Sequence, residues 1–226
     1  MRRVIIFICI IVFALSIFQI SRYIVDSKKT NDLYGKTAKI YDEGKRDIKK
    51  LEKINDNIIC WINIPGTKIN YPVVKGEDNS YYLNHDIDGN ENRHGAIFMD
   101  YKNNPKDDKN IIIYGHHMKD GTMFKDLVKF KDKTFFDKNR FIYVDMYDKK
   151  IPYEIFSVYI TDAYDPYTQI SFKDGNDYSN FFNRIKEKSL FPSDVEFSEK
   201  ETILTLSTCT YEYNDARLVI HARSTE

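Results

Sequence analysis

The chain has 226 residues, and its 34 Lys+Arg are balanced by 34 Asp+Glu to a formal net charge of zero. That length allows one sizeable domain whose core needs no disulfide staples, and the balanced charge argues against a nucleic-acid partner. At 42% hydrophobic residues the chain is too apolar for disorder, and an aromatic share of 15% favours strands.

Residues Val4–Ile20 form an almost unbroken apolar run preceded by Arg2 and Arg3. About 20 apolar residues span a bilayer core, and extending the run to Val25 crosses Arg22, whose long stem can snorkel to the interface. The basic pair on the N-terminal side predicts a single-pass anchor in the cell membrane, N-terminus cytoplasmic and the remainder extracellular. Ala14-Leu15-Ser16 offers a small-x-small cleavage site, but the apolar run continues past it and no polar segment follows, so an uncleaved anchor is preferred.

Three units are expected: residues 1–25 as cytoplasmic tip and membrane helix, 26–57 as a helical membrane-proximal segment, and 58–226 as the main domain. Within the second, Ile40, Ile48, Leu51 and Ile54 fall near helical spacing, which predicts one or two amphipathic helices broken near Gly35 or Gly44. From Ile58 the pattern changes to short strands. IICWINI and KINYPVV flank the turn Pro65-Gly66, and further candidates are Ala96–Met99, Asn110–Tyr114, Phe141–Met146, Tyr153–Ile160, Thr202–Thr208 and Arg217–Ala222. Phe181, Phe182 and Ile185 mark a helix around Tyr178–Leu190. The expectation is a mainly β fold: a closed or nearly closed β-barrel of about eight strands, with N-terminal helices and a helix in the insertion before the last two strands.

The three cysteines, Cys9, Cys60 and Cys209, show no C-x-x-C spacing, which excludes a disulfide framework and a thiolate zinc cluster. No metal and no cofactor is expected. Cys60 reads as a buried strand residue and Cys9 as a membrane-helix residue. Cys209 ends the strand TILTLSTC, and Arg217 opens RLVIHAR. By period-2 alternation Leu204 and Leu206 share one face with Leu218, Ile220 and Ala222, leaving Thr205, Ser207, Cys209, Arg217, Val219 and His221 on the other. If the two strands pair across the loop TYEYNDA, a thiol stands beside a guanidinium at one end of a non-core face. A thiolate is the nucleophilic form of cysteine, and nearby positive charge favours it. Such chemistry also needs a proton carrier. Among His85, His94, His116, His117 and His221, His116 follows a strand and a glycine in IIIYGHHM, while His117 would point elsewhere in an extended chain.

Thr205-Leu206-Ser207-Thr208-Cys209 resembles the T-L-x-T-C signature of sortases, cysteine transpeptidases of Gram-positive cell surfaces. Gly115-His116 and Arg217 match the family's histidine and arginine, in the order His…Cys…Arg. WINIPGTKINYPVV (61–74), GAIFMD (95–100) and IIIYGHHMKDGTMF (111–124) are similar to class B sortases, and the likeness spans residues 58–223. The resemblance implies Cys209 as nucleophile, His116 as general acid/base and Arg217 as oxyanion and substrate stabiliser. It also implies an insertion, roughly Thr161–Pro192, that recognises the substrate peptide, with Tyr167, Ser207, Leu83 and Asn79 as pocket candidates. The implied partners are surface proteins bearing a C-terminal sorting signal and a peptidoglycan precursor or stem-peptide amine. Two other readings remain open: an exported cysteine protease that only hydrolyses, and a non-enzymatic membrane-anchored binding domain with an inert Cys209.

Overall fold

The computed structural model describes residues 1–44 and 47–225; Lys45 and Arg46 of the predicted membrane-proximal helices lie outside the described residues. One helix, α1, runs from Arg2 to Glu43, and its N-terminal stretch is long and apolar enough to cross a membrane. The large apolar side chains from Val4 to Val25 are exposed apart from Tyr23, and Cys9 among them is exposed too. Of the two positions expected for a break, near Gly35 or Gly44, the helix ends at the second and runs through the first. A Cβ at Gly35 would meet nothing, so the glycine sits on an open helix face and α1 continues to Gly44. A short α2 (Lys49–Glu52) follows.

The rest is a closed barrel of eight strands: β1 (Ile58–Asn63), β2 (Asn70–Lys75), β3 (Ile97–Met99), β4 (Asn110–Tyr114), β5 (Phe141–Met146), β6 (Lys149–Asp162), β7 (Ile203–Cys209) and β8 (Ala216–Ser224). Their spatial order is β1-β2-β3-β4-β7-β8-β6-β5, closed by β5 on β1. The β2–β3 and β4–β7 pairs are parallel and the others antiparallel. The second parallel pair matters most here, because it sets β4 and β7 pointing the same way with their C-terminal ends together. Two helices complete the list, α3 (Lys133–Lys138) and α4 (Gly175–Glu187), the latter three residues N-terminal of the predicted Tyr178–Leu190.

The barrel interior is filled as the alternation predicts, by Ile111 and Ile113 of β4, Leu204 and Leu206 of β7, and Leu218, Ile220 and Ala222 of β8. The opposite face is not open, contrary to expectation. Tyr178, Phe181, Phe182 and Ile185 recur at i, i+3, i+4 and i+7 of α4 and pack with Phe156, Tyr159, Tyr167, Ile203 and Val219 into a second core outside the barrel wall. Asp174 caps α4 by accepting the Asp177 N–H at 2.9 Å. Thr205, Ser207, Val219 and His221 are therefore buried, and only the strand ends reach the surface on this face.

The C-terminal half of α1 docks on the barrel. Tyr41 stacks on Trp61 with ring centroids 4.2 Å apart, and the Trp61 indole N–H donates to Asn70 Oδ1 at 2.7 Å. Further up the helix, Ser27 Oγ donates to Asp120 Oδ2 at 2.6 Å, and the same oxygen accepts from His94 Nε2 at 2.6 Å. Thr122 supplies its hydroxyl and backbone N–H to the other carboxylate oxygen. Burial raises the Asp120 carboxyl, but the bonds from Ser27, Thr122 and His94 outweigh it and hold the group down to about 2. A depressed carboxylate stabilises the fold above its ordinary range near 4 and loses that contribution as pH falls towards 2. In detergent, thermal midpoints from pH 7 to pH 3 are expected to fall more steeply for the wild type than for Asp120→Asn. The difference at pH 7 should be about 2 kcal/mol, and equal slopes would refute this role for Asp120.

Candidate active site

Three strand ends meet at one rim of the barrel. Cys209 is the last residue of β7; the six residues before it are buried, and it alone is exposed. It forms no disulfide. The β7–β8 register sets Cys209 directly opposite Arg217, so their side chains leave the sheet on the same side. Arg217 is half-buried, and its Nη1 donates to the Ala216 carbonyl at 3.1 Å. The pairing predicted across the loop TYEYNDA is thus present.

On the other flank of β7, the parallel register matches Tyr114 of β4 with Ser207, and the Gly115 N–H continues the ladder to the Ser207 carbonyl at 3.3 Å. His116 follows, two residues past Tyr114 as Cys209 is two past Ser207. The glycine before it is required by packing. A Cβ at Gly115 would come within 2.4 Å of Ile97 Cδ1 and 2.8 Å of the Phe124 ring. His116 Nε2 lies 2.8 Å from the Leu83 carbonyl, which only accepts, so Nε2 carries the proton. In the neutral ring Nδ1 is then the nitrogen without a proton.

His117 does not point away, as an extended chain would require, because β4 has ended at Tyr114 and the chain is already turning. Its Nδ1–H donates to the Cys209 carbonyl at 3.0 Å, and its Nε2 accepts from Lys125 Nζ at 2.8 Å. Burial and the Lys125 charge hold this imidazole below its ordinary range, although the bond to Cys209 opposes them. With both nitrogens committed, His117 is a neutral brace for the backbone of Cys209 rather than a proton carrier. The sequence reading set this residue aside as pointing elsewhere, and the signal for it was its adjacency to His116.

The remaining histidines are accounted for elsewhere. His85 stacks on Tyr81 at 4.0 Å, His94 binds Asp120, and His221 is fully buried, where loss of solvation drives it down to about 3. Cys60 is buried in β1, and burial pushes its thiol up, so it stays protonated.

The four pocket candidates stand differently. Tyr167, in the 3-10 turn Pro166–Thr168, shares a 2.9 Å hydrogen bond between its hydroxyl and Ser207 Oγ, and both residues are buried. They form the floor next to Cys209, not an open surface. Burial raises the Tyr167 hydroxyl, while Ser207 and the neighbouring Arg217 charge pull it the other way. Leu83 lies exposed at the rim, its carbonyl engaged by His116. Asn79 is tied down: its amide donates to Asp100 Oδ2 at 2.9 Å and its oxygen accepts the Tyr101 N–H at 3.0 Å. Asp100 in turn accepts from the Tyr114 hydroxyl at 2.9 Å, linking Asn79 to the strand that carries His116. Among the described residues there is no cluster of three or more His, Cys, Asp or Glu that would hold a metal ion.

Comparison with known proteins gives the family. A Sortase domain family model matches residues 62–225. Sortase B of Staphylococcus aureus is 40% identical over 178 residues, covering 77% of this chain and 73% of that protein. Sortase B of Listeria monocytogenes is 36% identical over 201 residues, covering 88% and 82%. A Staphylococcus aureus sortase B–substrate complex superposes with a TM-score of 0.83 at 35% identity, over 89% of this chain and 99% of that one. With its closed eight-stranded barrel and a cysteine and an arginine facing each other at the rim, the chain belongs to the sortase family of cysteine transpeptidases, in its B class.

Proposed function

We propose that this chain cleaves an N-P-x-T-G/N-like sorting signal, or an S-P-x-T-G-like one, after its threonine and joins the surface protein to a peptidoglycan amine. The Cys209 sulfur attacks the threonine carbonyl; the C–N bond breaks as a thioester forms, and His116 delivers a proton to the departing amine. In the second half, the acceptor amine attacks the thioester, His116 removes its proton, and the thiol is released. Arg217 holds the carbonyl oxygen as charge develops on it. Tyr167, Ser207, Leu83 and Asn79 shape the peptide site, the first two as its floor.

The observation that carries this reading is the direct opposition of Cys209 and Arg217 in the β7–β8 ladder, flanked by the end of β4 that bears His116. A Staphylococcus aureus sortase B, whose fold this chain shares, has been solved as a substrate complex, which supports a substrate-binding role for this fold. We assign residues 1–25 to the cytoplasmic tip and membrane span, 26–57 to a membrane-proximal helical segment and 58–226 to an extracellular catalytic domain. Arg2 and Arg3 retain the N-terminus in the cytoplasm. Anchoring concentrates the enzyme beside substrates that are themselves tethered to the membrane.

The test is mass spectrometry of the full chain in detergent, incubated with sorting-signal peptides with and without triglycine or diaminopimelate. The expected result is an acyl-enzyme adduct on Cys209 and a peptide–amine product when amine is present. Free acid alone at saturating amine would favour the hydrolytic protease. No adduct with any peptide would favour a binding domain.

A further inference from the structure

Behind the active-site rim, the second core contains a line of polar groups that the reaction does not use. Tyr159 Oη lies 3.0 Å from His221 Nε2, His221 Nδ1 lies 2.9 Å from Thr205 Oγ1, and Thr205 Oγ1 lies 2.6 Å from Asn110 Oδ1. The Asn110 amide nitrogen reaches the Tyr167 carbonyl at 3.2 Å and the Gln169 carbonyl at 2.8 Å. Asn110, Thr205 and His221 are completely buried.

The direction of every bond in this line is fixed by its far end. Two backbone carbonyls only accept, so the Asn110 amide must present its NH₂ to them and its oxygen to Thr205. Thr205 therefore donates its one hydroxyl proton to Asn110 and has to accept from His221 Nδ1–H. His221 is left with a bare Nε2, which accepts from the Tyr159 hydroxyl. The imidazole is thus neutral and held in one tautomer, in keeping with the depression caused by its burial. The chain of donors terminates on Tyr167 and Gln169, the two residues that bracket Thr168 in the turn beside Cys209.

The same turn is held from its other side. Thr161 Oγ1 donates to Asp165 Oδ2 at 2.6 Å, Lys188 pairs with that carboxylate, and Arg184 Nη2 donates to the Pro166 carbonyl at 3.1 Å. These bonds tie the start of the turn to β6 and α4. At its end, Asn110 ties the backbone of the turn to the barrel wall through β4, the strand that leads to His116, beside the side-chain bond of Tyr167 to Ser207 of β7.

We propose that Asn110 is a positioning residue for peptide recognition, fixing the 165–169 turn in the geometry that the incoming sorting signal meets, with Thr205 and His221 holding Asn110 in the required amide orientation. This rests on the transpeptidase reading above. Its consequence is that binding of peptide depends on Asn110 while the intrinsic reactivity of Cys209 does not. Satisfying the wall in advance also removes the ordering cost that a loose turn would charge to binding.

The experiment compares the full chain with Asn110→Asp, which keeps shape but faces two carbonyls with a carboxylate, and with Thr205→Val, which cuts the chain one bond further back. Amide hydrogen exchange across 162–172 reads the turn itself. Steady-state kinetics with a sorting peptide read KM apart from kcat, and alkylation by iodoacetamide reads the Cys209 thiol. For Asn110→Asp the turn is expected to exchange about ten-fold faster and KM to rise about ten-fold with kcat changed much less, while alkylation stays within about two-fold. Thr205→Val is expected to move the same way by a smaller factor, and it decides the matter if Asn110→Asp does not fold. Unchanged exchange of the turn in a folded variant would overturn the proposal, as would alkylation and acylation falling in parallel. A wild type that no sorting peptide acylates would sink the transpeptidase reading and with it the recognition role, and exchange would still report whether Asn110 holds the turn.

Discussion

Cys209→Ala is expected to abolish acylation by a sorting peptide, a loss of at least about 10⁴-fold, with the thermal midpoint nearly unchanged. Both halves follow from where the residue lies. Cys209 is the one exposed member of β7, so removing its sulfur leaves no buried cavity, and the stability change should stay within about 0.5 kcal/mol. The backbone carbonyl that His117 holds is untouched by the substitution, so the rim keeps its shape. The other two cysteines cannot substitute. Cys60 is sealed in the wall of the barrel with its thiol protonated, and Cys9 lies on the apolar stretch of α1. A polar maleimide applied to the folded protein in a lipid bilayer should therefore label one site, lost in Cys209→Ala, and reach Cys60 only after unfolding. Turnover retained by the alanine variant would remove the nucleophile from the account. A change in midpoint of several degrees would mean instead that the sulfur packs structurally.

Much of this arrangement was legible in the sequence, because strand alternation is a local signal. All eight strand segments read as short, largely apolar runs bounded by turns, and the pairing of Cys209 with Arg217 followed from two alternating runs joined by a short loop. What local patterning missed depends on neighbours distant in sequence. The face holding Thr205 and His221 read by alternation as non-core, yet it is buried under α4, and its polar atoms are satisfied by Tyr159 and Asn110. Two clues were present: Val219 and Ile203 are apolar on that same outer face, and the aromatic stripe of α4 needed a surface to cover. Of the two glycines read as a possible helix break, Gly44 ends α1, whereas Gly35 sits on an exposed face and costs about 1 kcal/mol, too little to end a long helix. His117 was misplaced because alternation was extended past the end of β4, where the backbone no longer obeys it.

Arg217→Ala is expected to lower kcat/KM for the sorting peptide by about 10²–10³-fold, equivalent to about 3–4 kcal/mol of transition-state stabilisation. The register places the guanidinium across from the sulfur, so a carbonyl under attack by Cys209 develops its negative charge within reach of a fixed cation. The Arg217 Nη1 bond to Ala216 anchors one arm of the fork. Arg217→Lys keeps the charge but replaces the planar fork by a mobile ammonium, and should recover only part of the loss. Arg217 stands beside two different groups, the thiol and the Tyr167–Ser207 floor, and an activity loss alone would not say which one it serves. Alkylation of Cys209 by iodoacetamide separates them, since that reaction needs the thiolate but forms no oxyanion. If Arg217 acts on the carbonyl, alkylation by the alanine variant stays within a few-fold of wild type while acylation collapses. If both rates fall together, its charge serves the sulfur, and the oxyanion must find its donors elsewhere on the rim.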